Sequence, residues 1–236
     1  MANIIKLGSI LLDGLHTKPG SKYQPGQTID FGNGDSLQWI VVNDMLIADR
    51  PLLTNISWND LNQQNLVLGK EVIINSQLFH CRLLKVGVEK GVSNEWDDAL
   101  DIIGESNDLW NWKDAFCWGH ETPAEHASHR VGRGCHSVRY WSWSPTNFRS
   151  ERVGFSPALV SLPSDNLVAG DTVCAIGSQT ILYGKLVDLT RYDAIIQPEA
   201  TSMMAEADAG KCYSKLPDGM VVLDRTHMAI QTIKGK

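Results

Sequence analysis

The sequence predicts an α+β protein, with a mixed domain followed by a small all-β, barrel-like domain. Three patterns carry that reading. Apolar and polar residues alternate along 37–48 and 72–84, as they do in β-hairpins. Two stretches between 93 and 119 repeat apolar residues at helical spacing. After Leu162 short β-type runs follow one another with turn residues between them and no helical period. The expected divisions are an extended arm at 1–34, the mixed domain at 35–163 and the β domain at 168–236.

Composition bounds the function classes. A chain of 236 residues with 43% hydrophobic and 20% charged residues is an ordinary globular protein of one or two domains. The net charge of −6 argues against broad nucleic-acid binding, which needs a basic face. Charge is uneven, however: five of the nine arginines lie between Arg130 and Arg152, which leaves room for a local anion-binding patch. The first residues lack the long apolar run of a signal peptide, and no stretch is long enough to span a bilayer. The five cysteines are odd in number and irregularly spaced. These features favour a reducing compartment, or a protein assembled in the cytoplasm such as a virion component.

Taken in order, Met1 to Gly34 is punctuated by Gly14, Pro19, Gly20, Pro25, Gly26, Gly32 and Gly34. It reads as an arm with loops and one short strand near Ile4 to Leu7. Leu37, Trp39 and Val41 begin a hairpin that turns at Asn43-Asp44. Ser57 caps a short helix in which Trp58 and Leu61 share a face. Val72 to Ile74 and Leu78 to Leu84 form a second hairpin around Asn75-Ser76, with Cys81 toward the core. Ser93 or Asn94 caps the next helix, Glu95, Asp97 and Asp98 suit its positive end, and Gly104 stops it. Leu109, Trp112 and Phe116 predict another helical segment, ending at Gly119.

Beyond Leu162, Pro163 to Asn166 reads as a linker. Strands are then expected at Thr172 to Ile176, Gln179 to Asp188, Ala194 to Gln197, Met220 to Asp224 and Met228 to Ile233.

The most informative stretch is Arg130 to Leu162. It holds R-V-x-R-G at Arg130 to Gly134 and V-G-F-x-P-A-L at Val153 to Leu159. Tyr140, Trp141, Trp143 and Phe148 lie between, among Ser, Asn and Arg. Six of the eight tryptophans fall between Trp96 and Trp143. That density exceeds the needs of one small core. Trp96, Trp112 and Trp118 are expected inside, and Trp141 and Trp143 at the surface.

This order of elements, from Leu37 to Leu162, resembles the C-type-lectin-like fold in its formylglycine-generating and sulfatase-modifying branch. It is similar above all to bacterial and phage proteins that end in a G-F-R-P-V-L type of strand. The resemblance implies a scaffold that displays a variable recognition loop. The tail, with Tyr183 to Asp188 followed by Tyr192 to Ile196, resembles a small Sm-like or SH3-like barrel. It lacks the asparagine or glutamine lining of an RNA-binding ring.

The chemistry of the resembled enzymes is not expected here. They carry two cysteines after the R-V element, because a redox thiol or a soft Cu(I) ion needs paired sulfurs. This chain has Cys135 and no second cysteine through position 149. Zinc candidates are Cys117, His120, His126 and His129, whose C-x-x-H and H-x-x-H spacings are tolerable, though they complete no known closed set. No phosphate-binding loop, nucleophile elbow or H-E-x-x-H is present. Asp97, Asp98 and Asp101 read as the solvated face of a helix. Calcium-dependent sugar binding lacks its signature motifs.

The sequence therefore points to a non-enzymatic phage or prophage structural or receptor-binding protein with no cofactor. Its expected recognition surface is Arg139, Tyr140, Trp141, Trp143, Asn147 and Arg149, residue types that dominate binding hot spots. Expected partners are a protein or glycan ligand, other virion or structural subunits and further copies of the chain. Neither a membrane nor a nucleic acid is expected. Two other classes are compatible with the sequence. One is a soluble mobile-element inhibitor or regulator that binds a host protein or nucleotide; the other is a metal-dependent enzyme that uses the histidine segment.

Overall fold

The computed structural model describes residues 3–113 and 115–233. The protein is mostly β, with 44% strand and 10% helix, which corrects the α+β expectation. Three short α-helices are present among the described residues: α1 (Trp58–Gln63), α2 (Glu95–Ile103) and α3 (Asn107–Trp110). The helix expected from Leu109 to Phe116 does not form. Instead α3 stops after one turn, where Asn111 takes the left-handed conformation with φ 45°. Phe116–Trp118 becomes a strand, paired antiparallel with His129–Gly134 on one side and parallel with Val153–Phe155 on the other. Strand partners on both edges outweigh a helical period carried by three residues.

The helices that do form follow their caps. In α1 the Ser57 hydroxyl accepts from the Asp60 backbone, and the Asp60 carboxylate accepts from the Ser57 N–H at 2.9 Å, a reciprocal capping box. In α2 the Asn94 side chain accepts from the Asp97 N–H at 2.9 Å, and Gly104 ends the helix at φ 92°.

Two six-stranded sheets form the body of the protein. The first is antiparallel throughout, in the order Asn3–Lys6, Gln38–Val42, Met45–Ala48, Pro157–Ser161, Gln77–Leu83 and Lys70–Ile74. The second runs Trp141–Pro145, His129–Gly134, Phe116–Trp118, Val153–Phe155, Leu53–Thr54 and Ser21–Lys22. Consecutive segments 153–155 and 157–161 thus sit inside different sheets and join them.

Close backbone approach sets the glycines here. A Cβ on Gly132 would lie 2.3 Å from the Phe116 ring, and one on Gly154 would lie 2.6 Å from Pro51 Cβ. Gly154 is therefore a packing glycine in a strand.

Residues 3–34 contribute strands at Asn3–Lys6, Ser9–Leu12, Leu15–Thr17, Ser21–Lys22 and Ile29–Gly32. Ile5, Leu7, Ile10, Tyr23 and Ile29 from this segment are buried in the main core with Trp39, Phe79, Trp118 and Phe155. The tail forms a third six-stranded sheet between Thr172 and Thr232, all of its pairings antiparallel. Its Cys174, Ile176 and Ile181 belong to the same buried cluster as the body. Gln231 ties the two polar frameworks together: it accepts from the Leu78 N–H at 2.7 Å and donates to the Ser161 hydroxyl at 2.7 Å.

Tryptophan burial differs from the sequence reading at Trp112, and Trp141, expected at the surface, is half-buried against the second cluster. Trp96 and Trp118 are in the core, but Trp110, not Trp112, is the third fully buried indole of that region. Trp112 is half-buried and packs on the edge of the second cluster.

Phe155 is completely buried at the junction of the sheets. Phe155→Ala is expected to lower unfolding free energy by about 3–5 kcal/mol in urea titration. Leu15→Ala, at a side chain exposed on a short strand, should change it by no more than about 0.5 kcal/mol.

Candidate functional site

The hairpin of His129–Gly134 and Trp141–Pro145 builds the site. Its second strand is the edge of the second sheet, with Val131 opposite Trp143 and Arg133 opposite Trp141. Residues two apart on a strand share a face, so the two indoles project to the same side. The loop between the strands is pinned at both ends. Cys135, at φ 75°, donates its N–H to the Trp112 carbonyl at 2.9 Å. Further along, the Val138 carbonyl accepts the Trp96 indole N–H at 2.9 Å.

The arginines of this region are committed to structure. Arg133 is buried, ion-pairs with Asp97 of α2 and donates to the Val86 carbonyl at 3.3 Å. Arg139 reaches Glu105 at 2.5 Å, Asp101 at 2.6 Å and Asp97 at 3.4 Å. Arg149 grips Asp60 with two hydrogen bonds, of 2.9 and 2.7 Å. Arg130 lies over the Trp58 ring at 4.2 Å and donates to the carbonyls of Ala127 and His129. Arg139 and Arg149 thus fasten the scaffold; neither offers a free charge to a ligand.

Seven of the eight tryptophans donate their indole N–H to a backbone carbonyl: Trp39, Trp58, Trp96, Trp110, Trp112, Trp118 and Trp141. Trp143 has no such acceptor among the described residues. Its ring is 38% exposed. One side is flanked by His126, with centroids 4.1 Å apart, and by His129 edge-on at 4.8 Å.

Beside Trp143 opens a cleft of about 270 Å³. Trp141 and Trp143 line it together with Val88, Glu89, Lys90, Pro123, Ala124, Glu125 and His126. Its shape is held by backbone bonds. The Trp141 indole N–H donates to the Gly87 carbonyl at 3.1 Å. The Ala124 N–H donates to the Val88 carbonyl at 3.4 Å, and the His126 N–H to the Pro123 carbonyl at 3.2 Å. Behind them Glu121 accepts from the Val86 N–H at 2.9 Å, while its own carbonyl accepts from Val131 at 3.0 Å. Glu89, Lys90 and Glu125 form no ion pair among the described residues.

Of the six residues expected at a recognition surface, Trp141 and Trp143 therefore reach the cleft. Tyr140 is exposed and meets His136 edge-on, and Asn147 is exposed beyond the strand. Neither lines the cleft, nor do Arg139 and Arg149. The sequence reading missed Glu89, Lys90 and Glu125. The only signal was the polar Gly87-Val88-Glu89-Lys90-Gly91 turn, which lies far from the tryptophans in the chain.

The zinc candidates do not converge. Among the described residues, no three His, Cys, Asp or Glu side chains are placed to hold a metal ion. Burial pushes the Cys117 thiol up to about 12, so it stays protonated and is a poor ligand. His126 and His129 stack on Trp143 instead. A larger depression of about 790 Å³ lies among Asn43, Ile102, Ser178, Asp208, Lys211 and His227, and no tryptophan, tyrosine or phenylalanine lines it. No protein-family model, curated protein or solved structure matches the chain.

Asp60 supplies a pH test of the scaffold. Burial raises its pKa, but the bonds from Arg149 and Ser57 outweigh that and hold it below the ordinary carboxylate value. A depressed folded pKa gives stability that is complete above the unfolded value, about 4, and is lost as pH falls through the folded one. Asp60→Asn should therefore lose less stability than the parent protein between about pH 5 and about pH 3 in urea titrations.

Proposed function

We propose that this protein is a non-enzymatic recognition protein of phage or prophage origin, and that it serves as a structural or receptor-binding part of the particle. The scaffold is read as C-type-lectin-like, with the aromatic hairpin as its display element. The observation that carries the binding function is Trp143. Every other indole is tied to a carbonyl and works as structure, whereas this one stands on an edge strand with its N–H unused. It also stands at a cleft whose charged rim is not neutralised from within. Such a group contributes little to the fold and is suited to contact with a partner.

The same geometry gives no support to catalysis. No nucleophile is paired with a base in the cleft, and the buried thiols Cys117 and Cys174 are held protonated at about 12. Arg139 and Arg149 are read as supports of this surface, through their ion pairs with Asp101 and Asp60.

Particle location is tested directly. Mass spectrometry of phage particles purified from induced source cells should find the chain at a stoichiometry typical of a structural component. Its presence only in the cytosol of those cells would overturn the particle assignment and favour an intracellular inhibitor or regulator.

A further inference from the structure

The cleft beside Trp143 also specifies the chemistry of its ligand. We propose that it takes one sugar ring of a glycan, held without a metal ion. The apolar face of the ring would lie on the Trp143 and Trp141 indoles, and its hydroxyls would meet Glu89, Lys90 and Glu125. This rests on the recognition reading above and narrows it from a partner of unspecified class to a carbohydrate.

Three features lead to that ligand. The first is size. About 270 Å³ is just below the usual range of small-molecule sites, about 300 to 1,000 Å³, a volume suited to a single ring. The second is the balance of polar groups on the rim. Glu89 and Glu125 only accept hydrogen bonds, and Lys90 and the Trp143 indole only donate. A strongly anionic ligand would face two carboxylates, and a strongly cationic one would face Lys90. A neutral polyhydroxyl ring both donates and accepts at each hydroxyl, so it satisfies both kinds of group. The third is the floor. Two indoles on one face of a strand offer flat apolar area, which matches the C–H face of a pyranose.

The floor is also preorganised. Trp141 is locked by its bond to Gly87, and Trp143 is backed by His126 and His129. Little side-chain entropy is then lost on binding. No metal is required, because hydroxyl recognition is supplied by side chains already at the rim.

The test uses the full chain on an array of immobilised bacterial surface oligosaccharides, followed by calorimetry with the best-bound free oligosaccharide. Binding should survive EDTA. It should weaken by about tenfold or more in Trp143→Ala, and by a measurable factor in the exposed-rim variant Glu89→Gln. Tyr192→Ala, on the tail, should bind as the parent protein does. Circular dichroism of each variant separates lost binding from lost fold, and Glu89→Gln keeps the test valid if Trp143→Ala does not fold.

Undiminished oligosaccharide binding by folded Trp143→Ala and Glu89→Gln would overturn the site. Adsorption to bacterial cells that persists after periodate oxidation of their sugars, but is lost after protease treatment, would overturn the glycan ligand and leave the recognition reading standing. Absence of adsorption to treated and untreated cells alike would overturn both.

Discussion

The structure depends on the segment from Val153 to Ser161. Its first half is paired on both edges in one sheet, between Phe116–Trp118 and Leu53–Thr54. Its second half is paired on both edges in the other, between Met45–Ala48 and Gln77–Leu83. Phe155 and Leu159 fall on either side of the crossover, and both are fully buried in the main core. A strand with two partners cannot shift its register without breaking both ladders. Because the crossover comes between them, the two sheets are locked to each other as well. The aromatic hairpin inherits its position from this seam through Phe116–Trp118, which links it to Val153–Phe155.

Polar staples then hold what the sheets place. Indole N–H groups bridge to carbonyls far away in the chain: Trp118 to Ile56, Trp58 to Gly119 and Trp96 to Val138. Each bond satisfies a buried donor while the ring fills volume, so one residue contributes packing and a tether together. Arg133 does the same for α2. It pairs with Asp97 from a position where it is almost fully buried, and an unpaired charge there would be costly. Trp143 stands apart because no acceptor among the described residues takes its N–H. The tryptophan excess noted in the sequence is thus mostly structural, with Trp141 and Trp143 alone also lining the cleft among the described residues.

Much of the local structure was legible. The hairpins at 37–48 and 72–84, the Ser57 cap, a cap at Ser93 or Asn94 that the structure assigns to Asn94, the Gly104 stop and the run of strands after residue 172 all follow from short-range pattern and cap chemistry. The missed element, Phe116–Trp118, is instructive. Its residues fit a helical period, and only partners from 129–134 and 153–155 make it a strand. The ion pairs of Arg139 and Arg149 were not legible for a related reason. Their residue type suits a binding surface, but whether a carboxylate waits opposite depends on where α1 and α2 pack.

By itself the sequence determined which residues alternate, where helices begin and end, and that aromatic side chains crowd one hairpin. Those properties belong to neighbours in the chain, and periodicity and capping act over a few residues. Tertiary structure alone decided that the protein is mostly β, that residues 3–34 join the core, and that His126 and His129 pack against Trp143. It alone brought Glu89, Lys90 and Glu125 around the tryptophan pair. A cleft is made of groups distant in sequence, and no local pattern states which side chains will be left without a partner once the core has closed.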